Sequence, residues 1–337
     1  MSDTILLTGI SGFIAKHIAA RLLNAGYAVR GSVRRLDRAA EVLAALRPVV
    51  SPDALARLTF VALDLDADAG WPEAMAGVQV LVHTASPFPI AQPKDEQELI
   101  RPAVHGTLRA LRAAHAAGVK RVVLTSSTVA VINSAKSGKQ NEDDWCEVNA
   151  PDSSAYAKSK TLAEQAAWAF VAGDGAGMAL STINPGFVMG PPLDKNYGSS
   201  IGVVRRILRG KDPMMPMLGF AVVDVRDVAE MHLRAVQQPE TAGKRYLSVS
   251  GDMTMPEMAQ TLKAAYPARR IPTRVAPMFL LRLMALFDPQ IKAILPSVGI
   301  IHSASNARAQ ADMGMTFISP QDAVRASGAW LVEHGEV

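Results

Sequence analysis

Short apolar runs alternate with longer, Ala-rich stretches through the first half of the chain. The runs read TILLT, YAVRGSV, RLTFVALDL, VQVLVHTAS, VKRVVLTSS and MALSTINPG. The stretches between them have the apolar spacing of helices, for example AKHIAARLLNAG and LRALRAAHAAG. Strands that are apolar throughout and alternate with helices form a parallel sheet that is covered on both faces. The pattern therefore predicts a doubly wound α/β fold.

The alternation breaks after about residue 186, where Gly, Pro and Met accumulate in GPPLDKNYGSS and GKDPMMPMLGF. One later segment, GKRYLSVSG, again has the composition of a strand and is expected to join the main sheet. We therefore predict a main domain from residues 1–186 plus about 222–250. A smaller, discontinuous lobe is predicted from about residues 187–221 and 251–337, over the carboxyl ends of the strands, where substrates bind in such folds.

The composition excludes several classes of protein. The 337 residues carry a net charge of +4, but the basic residues are dispersed, which argues against nucleic-acid binding. Cys146 is the single cysteine, so an internal disulfide and a cysteine metal cluster are excluded, and no metal is expected. The most apolar late stretch is interrupted by Arg282, Asp288 and Lys292, so we expect no membrane span. The fold pattern begins at TILLTG without room for an export signal, which predicts a cytoplasmic protein.

The junction of the first strand and first helix carries two glycines, Gly9 and Gly12, followed by the small Ala15. Glycine lets the backbone turn tightly and approach a pyrophosphate, and a helix N-terminus supplies free N–H groups and a positive dipole end. The spacing is G-x-x-G-x-x-A, so a tight turn with nothing bound is the alternative. Its place between a strand and an amphipathic helix favours a dinucleotide site.

The end of the second strand discriminates between the two nicotinamide dinucleotides. An acidic residue at this point holds the 2′-hydroxyl of NAD, whereas arginine accommodates the 2′-phosphate of NADP. Here Arg34 and Arg35 occupy the position, and no acidic residue precedes Asp37. The alternative is an exposed arginine pair at the start of a helix. Because arginine binds phosphate well, we predict NADP(H) as the cofactor.

The segment SSAYAKSKTLAEQAAWAF has the start signals of a helix, with Ser153 or Ser154 as its N-cap. Residues four apart share one face of a helix, so Lys160 lies on the face of Tyr156 while Lys158 points away. A neighbouring ammonium stabilises phenolate, so we expect it to lower the pKa of the tyrosine. The Tyr156 and Lys160 pair therefore indicates a proton-transfer site.

Taken together, the motifs resemble those of the extended short-chain dehydrogenases/reductases, within the group of dihydroflavonol 4-reductases, cinnamoyl-CoA reductases and methylglyoxal/aldehyde reductases. The phrases are TGISGFIA, VRR, LDL, VHTASPF, RPAVHGTLRAL, RVVLTSSTVAV, DDW, AYAKSKTLAEQAAW, INPGFVMGPP and VDVRDVAEMHL. They occur in the family's order and cover residues 4 to about 235. The resemblance implies a Rossmann NADP-binding domain and an NADPH-dependent carbonyl reductase that also oxidises alcohols in reverse.

Site residues follow from the resemblance, position by position. It implies that Tyr156 donates the proton, that Ser127 binds the carbonyl oxygen, and that Lys160 lowers the tyrosine pKa and holds the nicotinamide ribose. It implies cofactor contacts from Gly9, Gly12, Phe13, Ile14, Arg34, Asp64, Leu65, Thr84, Ala85, Lys160, Pro185, Phe187, Val188 and one of Ser199 or Ser200, of which we take Ser200.

The substrate is less constrained by the sequence. Two departures from the plant enzymes, an offset Asn133 and the short SSAYAKSK motif, argue against both plant substrates. The predicted pocket consists of Ser86, Pro87, Phe88, Met214, Met215, Met217 and Phe220. Methionine gives an adaptable apolar wall, although ordinary core filling is the alternative for these residues. We therefore expect an uncharged, largely apolar aldehyde or ketone, and either a monomer or a homodimer.

Three other functions remain open at this point. A nucleotide-sugar epimerase or dehydratase needs a diphosphate cradle, for which the small lobe offers Arg205, Arg206, Arg209 and Lys211. A 3-beta-hydroxysteroid-type dehydrogenase uses the same chemistry. A dinucleotide-sensing binding protein without catalysis typically lacks the Tyr-Lys pair, so it is the weakest alternative.

Overall fold

The computed structural model describes residues 3–87, 95–133, 136, 138–151, 153–301 and 303–337. The strands are β1 Thr4–Thr8, β2 Ala28–Val33, β3 Leu58–Ala62, β4 Val80–His83, β5 Arg121–Thr125, β6 Ala179–Pro185, β7 Phe187–Met189, β8 Gly219–Asp224, β9 Lys244–Ser248 and β10 Gly251–Thr254. The helices are α1 Phe13–Asn24, α2 Ala39–Leu46, α3 Pro52–Leu55, α4 Trp71–Met75, α5 Gln97–Ala116, α6 Ala155–Ala172, α7 Ser199–Arg209, α8 Val225–Gln237, α9 Met255–Ala265, α10 Met278–Met284, α11 Pro289–Ile294, α12 Ala307–Met313 and α13 Pro320–Glu333.

The large sheet has seven parallel strands in the order β3-β2-β1-β4-β5-β6-β9. This confirms the predicted doubly wound fold, and GKRYLSVSG joins the sheet as β9, next to β6. Ile5, Leu6 and Leu7 are fully buried because helices cover both faces of β1. The strand order reverses between β1 and β4, and ligands bind at the carboxyl ends of the strands at such a point.

Local sequence determines where the helices beside this edge begin. The Ser154 hydroxyl accepts a hydrogen bond from the N–H of Ala157 (3.1 Å), so it is the N-cap of α6. Gly12 precedes α1 in an extended conformation, with no acidic side chain in the first turn. Helix α6 packs along α5, and α1 packs along α8. Both helices therefore present their N-terminal turns to the same edge of the sheet.

The small lobe is built on a three-stranded sheet in the order β10-β8-β7, in which β8 is parallel to β7 and antiparallel to β10. Helices α7, α9 and α13 pack on it around Val188, Ile201, Met258 and Leu331. The chain enters the lobe at Gly186, where an added Cβ would lie 2.2 Å from the Ala221 carbonyl oxygen. The two sheets are therefore held close at this junction.

The predicted lobe boundaries stay a prediction, and two elements bear on where they fall. All of β8 belongs to the small sheet, including its last residues after 221. Helix α12 lies within the segment assigned to the small lobe, yet it packs on β9 and α8 of the large domain. The reason is that its apolar residues Ala309 and Met313 are buried in the large domain's core. Within the described part of the chain, no helix is both long and apolar enough to span a bilayer.

Candidate active site

A cavity of about 940 Å³ lies at the carboxyl edge of the large sheet and is shared with the small lobe. It brings together most of the predicted site residues. Those on its wall are Gly9, Gly12, Phe13, Ile14, Thr84, Ser86, Pro87, Ser127, Tyr156, Lys160, Pro185, Phe187, Val188, Ser200 and Phe220. The cavity therefore runs from the glycine turn to the Tyr-Lys helix.

The glycine turn has the geometry that a dinucleotide needs. Gly9 has a φ of +67°, and an added Cβ would lie 3.0 Å from the Ala85 Cα, so a larger residue is excluded by both backbone and space. The Gly12 N–H donates to the Gly9 carbonyl (2.9 Å) and closes the turn. The first N–H groups of α1 follow directly and have no partner within the helix. Small residues and a helix N-terminus thus form a cradle that fits a pyrophosphate.

The two arginines at the end of β2 behave differently. Arg35 donates from Nη2 to the Asp37 carboxylate (2.7 Å), so its charge is already paired. Arg34 is exposed and makes no hydrogen bond or ion pair with any other residue that the structure describes. Of the pair, Arg34 is therefore the side chain that is free to bind a phosphate, and its contact with the cofactor stays a prediction.

Four predicted cofactor residues, Arg34, Asp64, Leu65 and Ala85, are not among the described residues that line the cavity. Asp64 follows β3 and accepts from the Asp66 N–H (3.0 Å), and the adjacent Leu65 packs against Gly106. Ala85 lies behind Gly9, as its close approach shows. Their cofactor contacts stay predictions.

Tyr156 and Lys160 both reach the cavity from α6, as the helical spacing predicted. The Tyr156 phenol is hydrogen-bonded to the Ser127 hydroxyl, which also accepts from the Val129 N–H (3.3 Å). Lys158 instead donates to the Glu96 carboxylate (2.7 Å), away from the cavity. The structure therefore separates the two lysines, and places Ser127, Tyr156 and Lys160 together.

Burial controls the charges of this group. It lowers the pKa of Lys160 to about 8, while the Glu164 carboxylate acts in the opposite direction. Burial also raises the pKa of Tyr156, and the hydrogen bond with Ser127 opposes that shift less strongly. The predicted lowering of the tyrosine pKa is therefore wrong for this structure, because desolvation of the phenol outweighs its hydrogen bond with Ser127.

A family model described as the NAD dependent epimerase/dehydratase family matches residues 5–248. The chain belongs to this family. It is 34% identical over 298 residues to ketoreductase azaE of Aspergillus niger, covering 82% of this chain and 87% of the relative. It is 36% identical over 277 residues to tetraketide alpha-pyrone reductase 1 of Arabidopsis thaliana, covering 80% and 83%.

A solved structure agrees over the whole chain. The yeast methylglyoxal/isovaleraldehyde reductase Gre2 complexed with NADPH superposes with a TM-score of 0.81 at 27% identity, covering 99% of this chain and 100% of that one. The chain is therefore an NAD(P)-dependent oxidoreductase of the extended short-chain type, which confirms the predicted family and enzyme class. The predicted NADP(H) cofactor agrees with the NADPH in the yeast complex.

The apolar wall of the cavity differs from the one predicted from the sequence. Phe220 stacks on Phe187 with ring centroids 4.3 Å apart, and both rings line the cavity. The three predicted methionines are not among the described lining residues: Met215 is buried in the small lobe's core, Met214 packs on the α10 and α11 cluster, and the Met217 carbonyl accepts from the Gly299 N–H (2.7 Å). Met214 and Met215 are therefore core filling, the alternative left open by the sequence, while Met217 is partly buried outside the described lining. Phe88 lies outside the described residues.

Other lining residues were missed by sequence reasoning. They include Ile132, Cys146, Glu147 and Ser297. Cys146 and Glu147 lie on an irregular segment with no periodic signal, and Ser297 is far from the other site residues in sequence. Tertiary packing alone brings them to the cavity.

Three of the four basic residues suggested as a diphosphate cradle are engaged elsewhere. Arg206 pairs with Asp212 through two hydrogen bonds of 2.7 Å, and Arg205 and Arg209 donate to the Glu336 carbonyl (3.0 and 3.3 Å). None of the four basic residues is among the described lining residues of the cavity. This arrangement disfavours a nucleotide-sugar substrate at this position.

Proposed function

We propose that the protein is an NADPH-dependent carbonyl reductase for uncharged, largely apolar aldehydes and ketones. The observation that carries the proposal is the cavity itself, which joins the glycine turn to Ser127, Tyr156 and Lys160. Among its described lining residues, Lys160 and Glu147 alone carry charged side chains. The names of the relatives, a ketoreductase, a pyrone reductase and an aldehyde reductase, support the same class of reaction.

The residues that would hold the cofactor include the glycine turn and Lys160 on the cavity wall, and Arg34 at the end of β2, outside the described lining. The glycine turn and the N-terminus of α1 would bind the pyrophosphate, Arg34 the 2′-phosphate, and Lys160 the nicotinamide ribose. When bound, NADPH supplies a hydride to the carbonyl carbon. The Arg34 side chain is exposed, so the 2′-phosphate would displace water from it on binding.

Ser127 and Tyr156 act on the carbonyl oxygen. The Ser127 hydroxyl donates a hydrogen bond to this oxygen and stabilises its developing negative charge. The Tyr156 phenol then transfers its proton to the oxygen, and its raised pKa keeps the proton in place until transfer. The Lys160 ammonium stabilises the phenolate that is left. In the oxidative direction, the same groups remove the proton from an alcohol.

The walls around this point select the substrate. The stacked Phe187 and Phe220 rings and Ile132 offer apolar surface, and burial contributes about 25 cal/mol per Å² of apolar area. The Glu147 carboxylate on the opposite segment repels anionic groups. Aryl and alkyl ketones or aldehydes without a carboxylate or phosphate therefore fit best.

A screen of NADPH consumption tests the proposal. The panel contains aromatic aldehydes, α-dicarbonyls, β-keto esters, aryl ketones, steroid ketones, UDP-sugars and CoA thioesters. We expect turnover of the uncharged aryl and alkyl carbonyls, and little with the anionic substrates. A clear preference for UDP-sugars would favour an epimerase or dehydratase, and a preference for steroid ketones would favour a hydroxysteroid dehydrogenase. Either result would contradict the proposed substrate class.

A further inference from the structure

A buried carboxylate lies beneath the proposed catalytic residues. Glu164 is one helical turn after Lys160 on α6, and its side chain has no exposed surface. Its oxygens accept hydrogen bonds from Ser126 Oγ (2.5 Å), Asn184 Nδ2 (2.7 Å), Arg245 Nε (2.7 Å), Thr182 Oγ1 (3.1 Å) and Trp168 Nε1 (3.3 Å). All of these partners donate, which suits an ionised carboxylate because it only accepts.

Asn184 connects this carboxylate to the catalytic serine. Its amide nitrogen donates to Glu164 and also to the main-chain carbonyl oxygen of Ser127 (3.2 Å). Asn184 is fully buried at the end of β6, so this link is shielded from water. Glu164 therefore orients the amide that holds the Ser127 peptide in place.

Arg245 fixes the carboxylate from the other side. Besides its bond to Glu164, its Nη1 donates to the carbonyls of Glu142 (2.8 Å) and Asp144 (2.7 Å). The guanidinium lies 3.6 Å from the centroid of the Trp145 ring. The Glu164 carboxylate is therefore buried and held in one position by hydrogen bonds from several elements.

Among the described residues, two elements bring titratable groups close to Lys160. Tyr156 and Glu164 share α6 with it, and His83 faces it from β4. Burial and the lysine charge lower the pKa of His83 to about 3, so that ring is neutral. Among these groups, Glu164 supplies the negative charge.

We propose that Glu164 is a positioning residue for carbonyl reduction, which holds the Ser127 peptide through Asn184 and keeps the buried Lys160 protonated through its charge. The inference rests on the proposed roles of Ser127, Tyr156 and Lys160. Because Glu164 opposes the lowering of the Lys160 pKa, its removal brings that pKa further below about 8. Activity that needs the ammonium is then lost at a lower pH.

Two variants separate the two roles. Glu164→Gln removes the charge, whereas Asn184→Ala keeps the charge and cuts the link to Ser127. The measurements are kcat/KM for an aryl ketone with NADPH from about pH 6 to 10, NADPH affinity by fluorescence, and melting temperature. Glu164→Asp serves as the conservative variant. Asp227→Asn is the control, because Asp227 is a buried carboxylate on α8 that accepts from the Ile318 N–H (2.8 Å).

Glu164→Gln is expected to move the alkaline limb of kcat/KM down by about one pH unit and to weaken NADPH binding at pH 8. Asn184→Ala is expected to lower kcat about tenfold, with the limb unmoved. Glu164→Asp keeps the negative charge, so its alkaline limb of kcat/KM is expected to stay at the wild-type pH. Asp227→Asn changes the melting temperature alone.

An even loss of activity at all pH values in Glu164→Gln, in proportion to its loss of thermal stability, would overturn the proposal. If that variant does not fold, Asn184→Ala decides, and an unchanged kcat overturns the proposal. Lys160→Ala is measured in parallel. Its retention of activity would instead refute the proposed function, whereas an inactive Lys160→Ala with an unshifted Glu164→Gln profile refutes this inference alone.

Discussion

At the scale of single residues, Lys158 and Lys160 form a matched pair on one helix. Lys160 reaches the cavity, and Lys158 pairs with Glu96, the residue that precedes α5. Lys160→Ala is expected to lower kcat by at least about a hundredfold, because it removes the charge that stabilises the phenolate. Lys158→Ala is expected to stay within about twofold of the wild type, because the ion pair it breaks is partly exposed. Steady-state kinetics with one ketone measures both, and equal damage would contradict the assignment.

A second pair of residues tests cofactor selection. Arg34→Ala is expected to reduce the preference for NADPH over NADH by about tenfold in kcat/KM, about 1.4 kcal/mol, with NADH turnover nearly unchanged. Arg35→Ala is the control, since Asp37 already pairs with Arg35. The ratio of kcat/KM values for the two cofactors gives the answer. Equal losses with NADPH and NADH in Arg34→Ala would show that Arg34 supports the fold and does not read the phosphate.

The residues found from sequence share one property. The spacing of Tyr156 and Lys160, and the position of Gly9 after the first strand, depend on local geometry that the sequence encodes directly. The pKa of Tyr156 depends on how deeply tertiary packing buries the phenol, and the role of Glu164 depends on partners from β6 and β9. Neither property is visible in a local pattern.

At the scale of the element, α6 depends on its N-cap to hold Tyr156 at the cavity. Ser154→Ala removes the hydrogen bond to the Ala157 N–H and is expected to lower the free energy of unfolding by about 1 kcal/mol. Ser153→Ala is the control, because its hydroxyl does not cap the helix. Urea denaturation measures both changes. A larger loss in Ser153→Ala than in Ser154→Ala would contradict the assigned cap.

Helices and strands were predicted correctly where a single hydrophobic pattern extends over the whole element. The strands of the large sheet are rich in apolar and β-branched residues and were all placed correctly, including β9 after a long excursion. The run PMMPMLGF has apolar character without periodicity, so its side chains could face either the cavity or the core. Tertiary packing places Met214 and Met215 in apolar clusters of the small lobe and Phe220 on the cavity wall.

At the scale of the whole molecule, three buried histidines make the fold sensitive to acid. Burial lowers the pKa of His17 to about 4, of His83 to about 3 and of His232 to about 4. In the unfolded chain these rings bind protons below about pH 6.5, whereas in the folded chain they stay neutral. Their stabilisation is therefore complete above about pH 6.5 and is lost as the pH falls toward 4.

One carboxylate opposes this trend. Burial raises the pKa of Asp227 to about 6, so the folded protein binds one proton more tightly than the unfolded chain between about pH 4 and 6. The histidines still outnumber it, and we expect the free energy of unfolding to fall by roughly 1 to 3 kcal/mol per pH unit near pH 5. Urea denaturation at pH 7, 6 and 5 measures the slope. A flat profile over that range would show that the rings are charged or exposed in the folded state.

The arrangement of the elements explains why the doubly wound fold was predictable from the sequence, while the lobe boundaries stay a prediction. The large domain follows a repeated strand-helix rhythm, whereas the small lobe is assembled from β7, β8, β10 and helices that are distant in sequence. The apolar face of α12 could belong to either lobe until β9 is in place. Such long-range choices have no local signature.

The discontinuous small lobe also has a consequence for biosynthesis. The glycine turn, β1 to β6 and the Tyr156 helix leave the ribosome before any of α13 is made. The core of the small lobe needs Val324 and Leu331 from α13 against Val188 and Ile201. During translation, the nucleotide half of the site is therefore complete in sequence well before the half that encloses the substrate. The nascent chain therefore passes through a stage at which the segments of the coenzyme site are present but the substrate cavity is not yet enclosed.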